Sequence, residues 1–192
     1  MHKLFASALL CVGALPLFAQ TKAIAPAGLE APWDVRKMAA DLQHQTESVQ
    51  PLLGQLNPQT WVNEKGAPST YIVQWQTAQQ QLRDAVTVAQ QLAQHTESLS
   101  TALDTYFRLE ALELSERALA EGARQYDQRQ IADKLAAVVA HNFDMRQQLR
   151  EYIRNLAVST EENFRIADSE AQRCRSTLSR QPTTGNGQKR SR

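Results

Sequence analysis

The stretch 69–121 reads STYIVQWQTAQQQLRDAVTVAQQLAQHTESLSTALDTYFRLEALELSERALAE and contains neither proline nor glycine. Extended to Gln181, the run still has no proline and a single glycine, Gly122. These two residue types stop helices, at a cost of about 3 and about 1 kcal/mol per interior position, so the composition predicts long helices and an all-α fold. Apolar and small residues recur at alternating steps of three and four: Trp75, Ala78, Leu82, Ala85, Ala89, Leu92, Thr96, Leu99, Leu103 and Tyr106. This is a heptad seam, narrow and rich in alanine. Alanines let helices approach closely but bury little area each, so length must compensate for width. Beyond Tyr106, Leu109, Leu112 and Leu119 leave the phase, which predicts a stammer or bend.

Toward the C-terminus, Glu121-Gly122-Ala123 reads as a helix end, because glycine tolerates the left-handed conformation that closes helices. Asp127 and Gln130 have capping-box spacing, and a further seam follows through Ile131, Leu135, Val138, Asn142, Met145, Leu149, Tyr152, Leu156 and Ser159. Asn142 is a polar residue on that apolar track, suited to fixing the register of paired helices or to facing water at an open seam. Toward the N-terminus, Asp34 offers a cap, and Val35, Met38, Leu42, Val49, Leu52 and Leu56 form one amphipathic stripe, with Pro51 placed to kink or end it. Residues 57–68, with Pro58, Gly66 and Pro68 around Trp61, read as the interior loop, and Ser69 or Thr70 as the next cap.

Helices near 34–56, 69–121 and 127–180 give a single domain over 32–181. The expected architecture is an elongated antiparallel helical hairpin, a three-helix, coiled-coil-like bundle in which the two long helices extend past the short one. The alternative is a compact four-helix bundle with a break near 97–100, where Ser98, Ser100 and Thr101 can cap a new helix but no proline or glycine breaks the old one.

The chain opens with Met1-His2-Lys3, an apolar run from Leu4 to Phe18, and Ala19 at a cleavage position. That is the pattern of a signal peptide over residues 1–19, followed by an aperiodic leader over 20–31. It predicts an exported protein, periplasmic or secreted after cleavage near Ala19, with no transmembrane segment in the mature chain. The whole chain has 21 basic and 20 acidic residues, and Lys3 lies in the signal segment, so the mature protein is near neutral and is not expected to bind nucleic acid. The charge is uneven: no acidic residue follows Glu170, while Arg173, Arg175, Arg180, Lys189, Arg190 and Arg192 accumulate. Residues 182–192 read as a disordered basic tail, suited to weak electrostatic contact with anionic surfaces. With Cys11 in the signal segment, Cys174 is left without an internal partner, and its candidate role is an intermolecular disulfide.

Catalytic signatures are lacking. The serines and threonines at 96–101 and 159–160 fall in helical sequence without a base and an orienting group, and there is no phosphate loop, haem attachment site or His-Glu-x-x-His motif. His44 with Glu47 and His141 with Asp144 stand one helical turn apart, but off the apolar stripes, as surface pairs rather than metal ligands. No cofactor and no enzyme activity are expected. Trp33, Trp61, Tyr71 and Trp75 group around the first two helices, more as the plug of a bundle end than as a ligand patch. The functional expectation is a non-catalytic exported helical protein that binds a protein partner or itself through its seams, with Leu82, Leu92, Leu99, Leu103, Ile131, Leu135, Val138, Met145, Leu149 and Leu156 as the interaction seam. The alternative is a monomeric bundle of the cell envelope that holds a small ligand or metal between its helices.

Overall fold

The computed structural model describes residues 30–180. The segments read as a signal peptide, as nearly all of the leader and as a basic tail lie outside the described residues. Six helices follow one another: α1 (Pro32–Glu47), α2 (Gln50–Gln55), α3 (Pro58–Lys65), α4 (Thr70–Gln94), α5 (Leu99–Gln125) and α6 (Arg129–Arg180). Four of them, α1, α4, α5 and α6, form an up-and-down bundle. Arg108 reaches Asp84 from α5 to α4, Thr105 Oγ1 donates to the Val88 carbonyl, and Arg124 meets Asp133 across the α5–α6 turn, pairings that fix the antiparallel directions.

The fold is therefore all-α as expected, in the four-helix form. The stretch 69–121 is not one helix: it breaks at His95–Ser98, and only α6 extends past its neighbours. The break needs no proline or glycine, because Ser98 turns extended (φ −87°, ψ 104°) and its side chain accepts the Thr101 N–H at 3.2 Å. A serine N-cap supplies an acceptor to a helix start and so makes the interruption inexpensive. Closing α5 back onto α4 then buries Ala85, Ala89, Leu92 and Ala102 completely, which one straight helix could not do within a single chain.

Two further expectations are corrected, the start of the first helix and the loop at 57–68. The first helix is split where Pro51 was placed to kink or end it, ending at Glu47 and resuming at Gln50, because Pro51 has no N–H for the Glu47 carbonyl. It begins at Pro32, two residues before Asp34, which lies in the first turn, where its charge favours the helix dipole instead of capping. Residues 57–68 hold α3 rather than a loop: Asn57 accepts the Thr60 N–H, Pro58 opens the helix, and Gly66 closes it at φ 70°. The residues read as breakers there are the start and stop signals of a short helix. At the following helix, Ser69 takes the cap position without a side-chain capping bond.

Gly122 likewise does not end a helix, since α5 continues to Gln125. A Cβ there would meet Tyr71 Cε1 at 2.5 Å and Trp61 at 3.1 Å, so the missing side chain makes room for an aromatic ring. Nor does Asp127 cap α6. It stands at φ 69° in the turn and pairs with Lys65 at 2.8 Å, which holds its carboxyl below the usual carboxylate range. Gln128 organises that turn. Its Oε1 accepts Trp61 Nε1 at 2.9 Å and Asn57 N–H at 3.2 Å, and its Nε2 donates to the Gln55 carbonyl.

Candidate functional site

The residues expected to form an interaction seam close the bundle within the chain. Leu82, Leu92, Leu135, Leu149 and Leu156 are buried, Leu99, Ile131, Val138 and Met145 are partly buried against the same core, and Leu103 is half-buried. The track is alanine-rich as read, with Ala39, Ala78, Ala85, Ala89, Ala102, Ala123 and Ala132 fully enclosed. Since their apolar faces are taken up by neighbouring helices, surface for a partner must be sought elsewhere.

The distal half of α6 is left uncovered among the described residues. The α4–α5 turn, the start of α1 and Tyr152 lie together at one end of the bundle, around a small void lined by Pro32, Val35, Thr96 and Glu97. Past Ser159 the helix has no neighbour among the described residues. Residues 160–179 are exposed throughout, and at 1.5 Å per residue they project about 30 Å. On this segment Phe164 (75%), Ile166 (47%) and Leu178 (69%) are left in solvent, as Trp33, Phe107 and Leu114 are elsewhere on the bundle. Cys174, the expected crosslink position, is exposed on the same segment.

Two other places carry polar or concave features. Midway along the bundle, Glu113 and Glu116 of α5 face Arg146 of α6, all closed off from solvent or nearly so. Arg146 and Arg117 both form ion pairs with Glu113, although Arg146 meets Glu113 Oε2 without the alignment of a hydrogen bond. Glu116 Oε1 and Arg146 Nε have no hydrogen-bond partner among the described residues. Burial, and secondarily the Glu113 charge, push the Glu116 carboxyl up to about 8, against the opposing pull of Arg146. A void of about 10 Å³ lies between these groups, Thr46 and Asn142, close to the volume of a single water molecule. Asn142, singled out as a polar residue on the seam, thus belongs to a buried polar layer. Glu113 and Glu116 escaped the sequence reading, although both fall on the track that joins Leu109, Leu112 and Leu119. The available signal was a pair of acids on that track and an arginine beside Met145 on the antiparallel neighbour.

An open groove of about 880 Å³ lies between α1–α2 and α4, walled by Pro51, Leu53, Trp75, Leu82 and Val86 and rimmed by Glu47, Gln79 and Arg83. Trp75 Nε1 donates to the Leu53 carbonyl at 2.7 Å and so holds the indole against α2. The other aromatics separate. Trp61, Tyr71 and Tyr126 pack with ring centroids 5.7–5.9 Å apart at the far end of the bundle, as a plug. Trp33, by contrast, is exposed.

His44 and Glu47, and His141 and Asp144, are all exposed. Among the described residues no three His, Cys, Asp or Glu side chains are arranged to hold a metal ion, and no helix is long and apolar enough to cross a membrane. The Ser98 hydroxyl bonds to those of Ser100 and Thr101 at the turn. Compared with known proteins, the chain matches no family model, no curated protein and no solved structure.

Proposed function

We propose that this chain is a non-catalytic helical interaction protein of the extracytoplasmic space, a rigid bundle that presents the distal half of α6 to a protein partner or to another copy of itself. Export rests on the signal-peptide pattern of residues 1–19. One observation carries the interaction reading: residues 160–179 remain helical without a neighbouring element among the described residues and display Phe164 and Leu178 to solvent. A helical face that keeps large apolar side chains exposed is a surface for recognition. Photo-crosslinking groups placed at Ala167 and Ala171, on the helix face that carries Phe164 and Leu178, should yield protein adducts in the native compartment, while one placed at Gln59, at the opposite end, should not. Absence of adducts from both arm positions would overturn the reading.

The groove beside Trp75 favours a second reading, a small apolar ligand held against α4. Quenching of Trp75 fluorescence by a copurifying compound, absent from Trp75→Phe, would support it, and an unchanged emission spectrum after denaturing extraction and refolding would remove it.

A further inference from the structure

The exposed half of α6 carries a pattern of its own. Phe164, Ala167, Ala171, Cys174 and Leu178 follow at steps of three and four, a heptad stripe distinct from the one that enters the bundle. At 100° per residue, this stripe lies within roughly 60° of the direction taken by Leu149, Tyr152 and Leu156. It therefore continues on the side of α6 that the bundle covers lower down, and is left open where α1, α4 and α5 stop. The charge along the segment is also divided. Glu161, Glu162, Asp168 and Glu170 occupy its first half with Arg165 as the lone base, itself paired with Glu162, while Arg173, Arg175 and Arg180 occupy the second.

We propose that the projecting half of α6 pairs antiparallel with the same segment of a second copy of this chain, an inference that rests on the interaction reading above. Antiparallel pairing sets each acidic half against a basic half. Parallel pairing would set like against like, and would drive the second bundle into the side already filled by the first. The best register overlaps residues 165–180. It seats Leu178 on Ala167 of the second copy and Cys174 on Ala171 of the second copy, large against small in each layer, and it places Asp168 beside Arg175 of the second copy twice by symmetry. A shift of one heptad would set Asp168 against its own counterpart, so charge selects the register. The overlap is short and partly alanine, at the low end of the range of specific interfaces, so the dimer is concentration-dependent.

The test uses the mature chain, residues 20–192, in sedimentation equilibrium under reductant. Wild type should show a reversible monomer–dimer equilibrium. Asp168→Arg and Arg175→Asp, both at exposed positions remote from the core, should each weaken it about tenfold or more, because each turns both symmetric attractions into repulsions. Mixing the two variants should restore dimers, since the mixed pair alone regains both opposite-charge contacts. Under mild oxidation, a chain carrying Ala171→Cys with Cys174→Ser should crosslink to wild type. Rapid self-crosslinking of a chain carrying Ala167→Cys with Cys174→Ser, whose two thiols stand about 16 Å apart along the axis in the antiparallel register, would show a parallel pair and overturn the proposal, as would failure of the mixed variants to associate. A monomer at every concentration would also overturn it. If such a monomer still gave photo-adducts to another protein from Ala171, the interaction reading would stand without the dimer. Dimers that appear only after deletion of residues 182–192 would assign the face to the chain's own tail and would equally defeat the proposal.

Discussion

Between Ile131 and Leu156, α6 sets Ala132, Leu135, Val139, Leu149, Tyr152 and Leu156 into the core, whereas from Thr160 to Ser179 every residue of the same continuous helix is exposed. The backbone does not register the change. In the first half, helicity is supported by burial of Leu135, Leu149, Tyr152 and Leu156 against three other helices. In the second, no tertiary contact is available among the described residues, and the helix rests on propensity, on the Arg165–Glu162 pair, and on a first turn already formed below it. Nucleation is the costly step of helix formation, and a helix anchored in a bundle extends without repeating it. The bundle thus acts as the nucleus of its own protruding arm, and the two halves should respond very differently to the same kind of substitution.

The largest effect expected is in the bundle half. Leu149→Ala removes a fully enclosed side chain and should lower the unfolding free energy by about 2–5 kcal/mol in chemical denaturation. A loss below 1 kcal/mol would show that α6 is not held by its core face.

The next expected effect concerns the buried polar layer and depends on pH. Glu116 binds its proton up to about pH 8 in the folded chain, against an ordinary value of 4.5. Between those values the folded state holds the proton and the unfolded state has lost it, so this carboxyl destabilises the fold progressively as pH rises through that window, by at most about 1.4 kcal/mol per unit. Above pH 8 the penalty is constant. Glu116→Gln should remove that slope and leave the variant the more stable of the two at pH 8, which denaturation midpoints across the window will show. Parallel profiles for the two proteins would mean that Glu116 titrates normally.

Smaller again is the cap at the α4–α5 break. Ser98→Ala deletes the acceptor of the Thr101 N–H and should cost about 1 kcal/mol, whereas Ser98→Asp should retain most of the stability. At the bottom of the scale stands the arm. Phe164→Ala should change the stability of the monomer by less than about 0.5 kcal/mol, because the side chain is three-quarters exposed. A larger loss, measured in dilute solution where the chain is monomeric, would show that the arm is packed against something within its own chain.

How far the sequence revealed this arrangement follows from what periodicity can and cannot carry. Helix content and the alanine-lined seam were legible because buried alanines and leucines must recur at three and four whatever the topology. The break at 95–98 was legible only as an alternative. A serine cap and an uninterrupted helical surface look alike until a partner for the seam is found, and that partner is α5 folded back over 95–98. Local breakers gave the opposite error at 57–68, where Asn57, Pro58 and Gly66 bound a helix of two turns, long enough to bury Trp61. Gly122 was misread for a third reason: its role depends on a ring contributed from far away in the chain, Tyr71, which no local rule can supply. The buried acids were hidden by their type. Glu113 and Glu116 are excellent helix formers, and only the three-dimensional position of Arg146 distinguishes them from a solvated face. The exposed arm is the reverse case. Its stripe resembles a core stripe, and only the ends of α1, α4 and α5 show that nothing in the described chain covers it.

The turn at His95–Ser98 has a consequence for the speed of folding. Because α4 and α5 are joined by so few residues, and α5 and α6 by the short turn through Asp127, these three helices each find a principal neighbour directly next to them along the chain, while α1 reaches α4 across only the short α2 and α3. Search entropy is small for such contacts, and proteins dominated by them fold in microseconds to milliseconds. The exception is α1 against α6, whose meeting must wait until the helices between them are assembled. Refolding followed by Trp61 and Trp75 fluorescence should therefore be complete within milliseconds, with closure of the α1–α6 side as its final event.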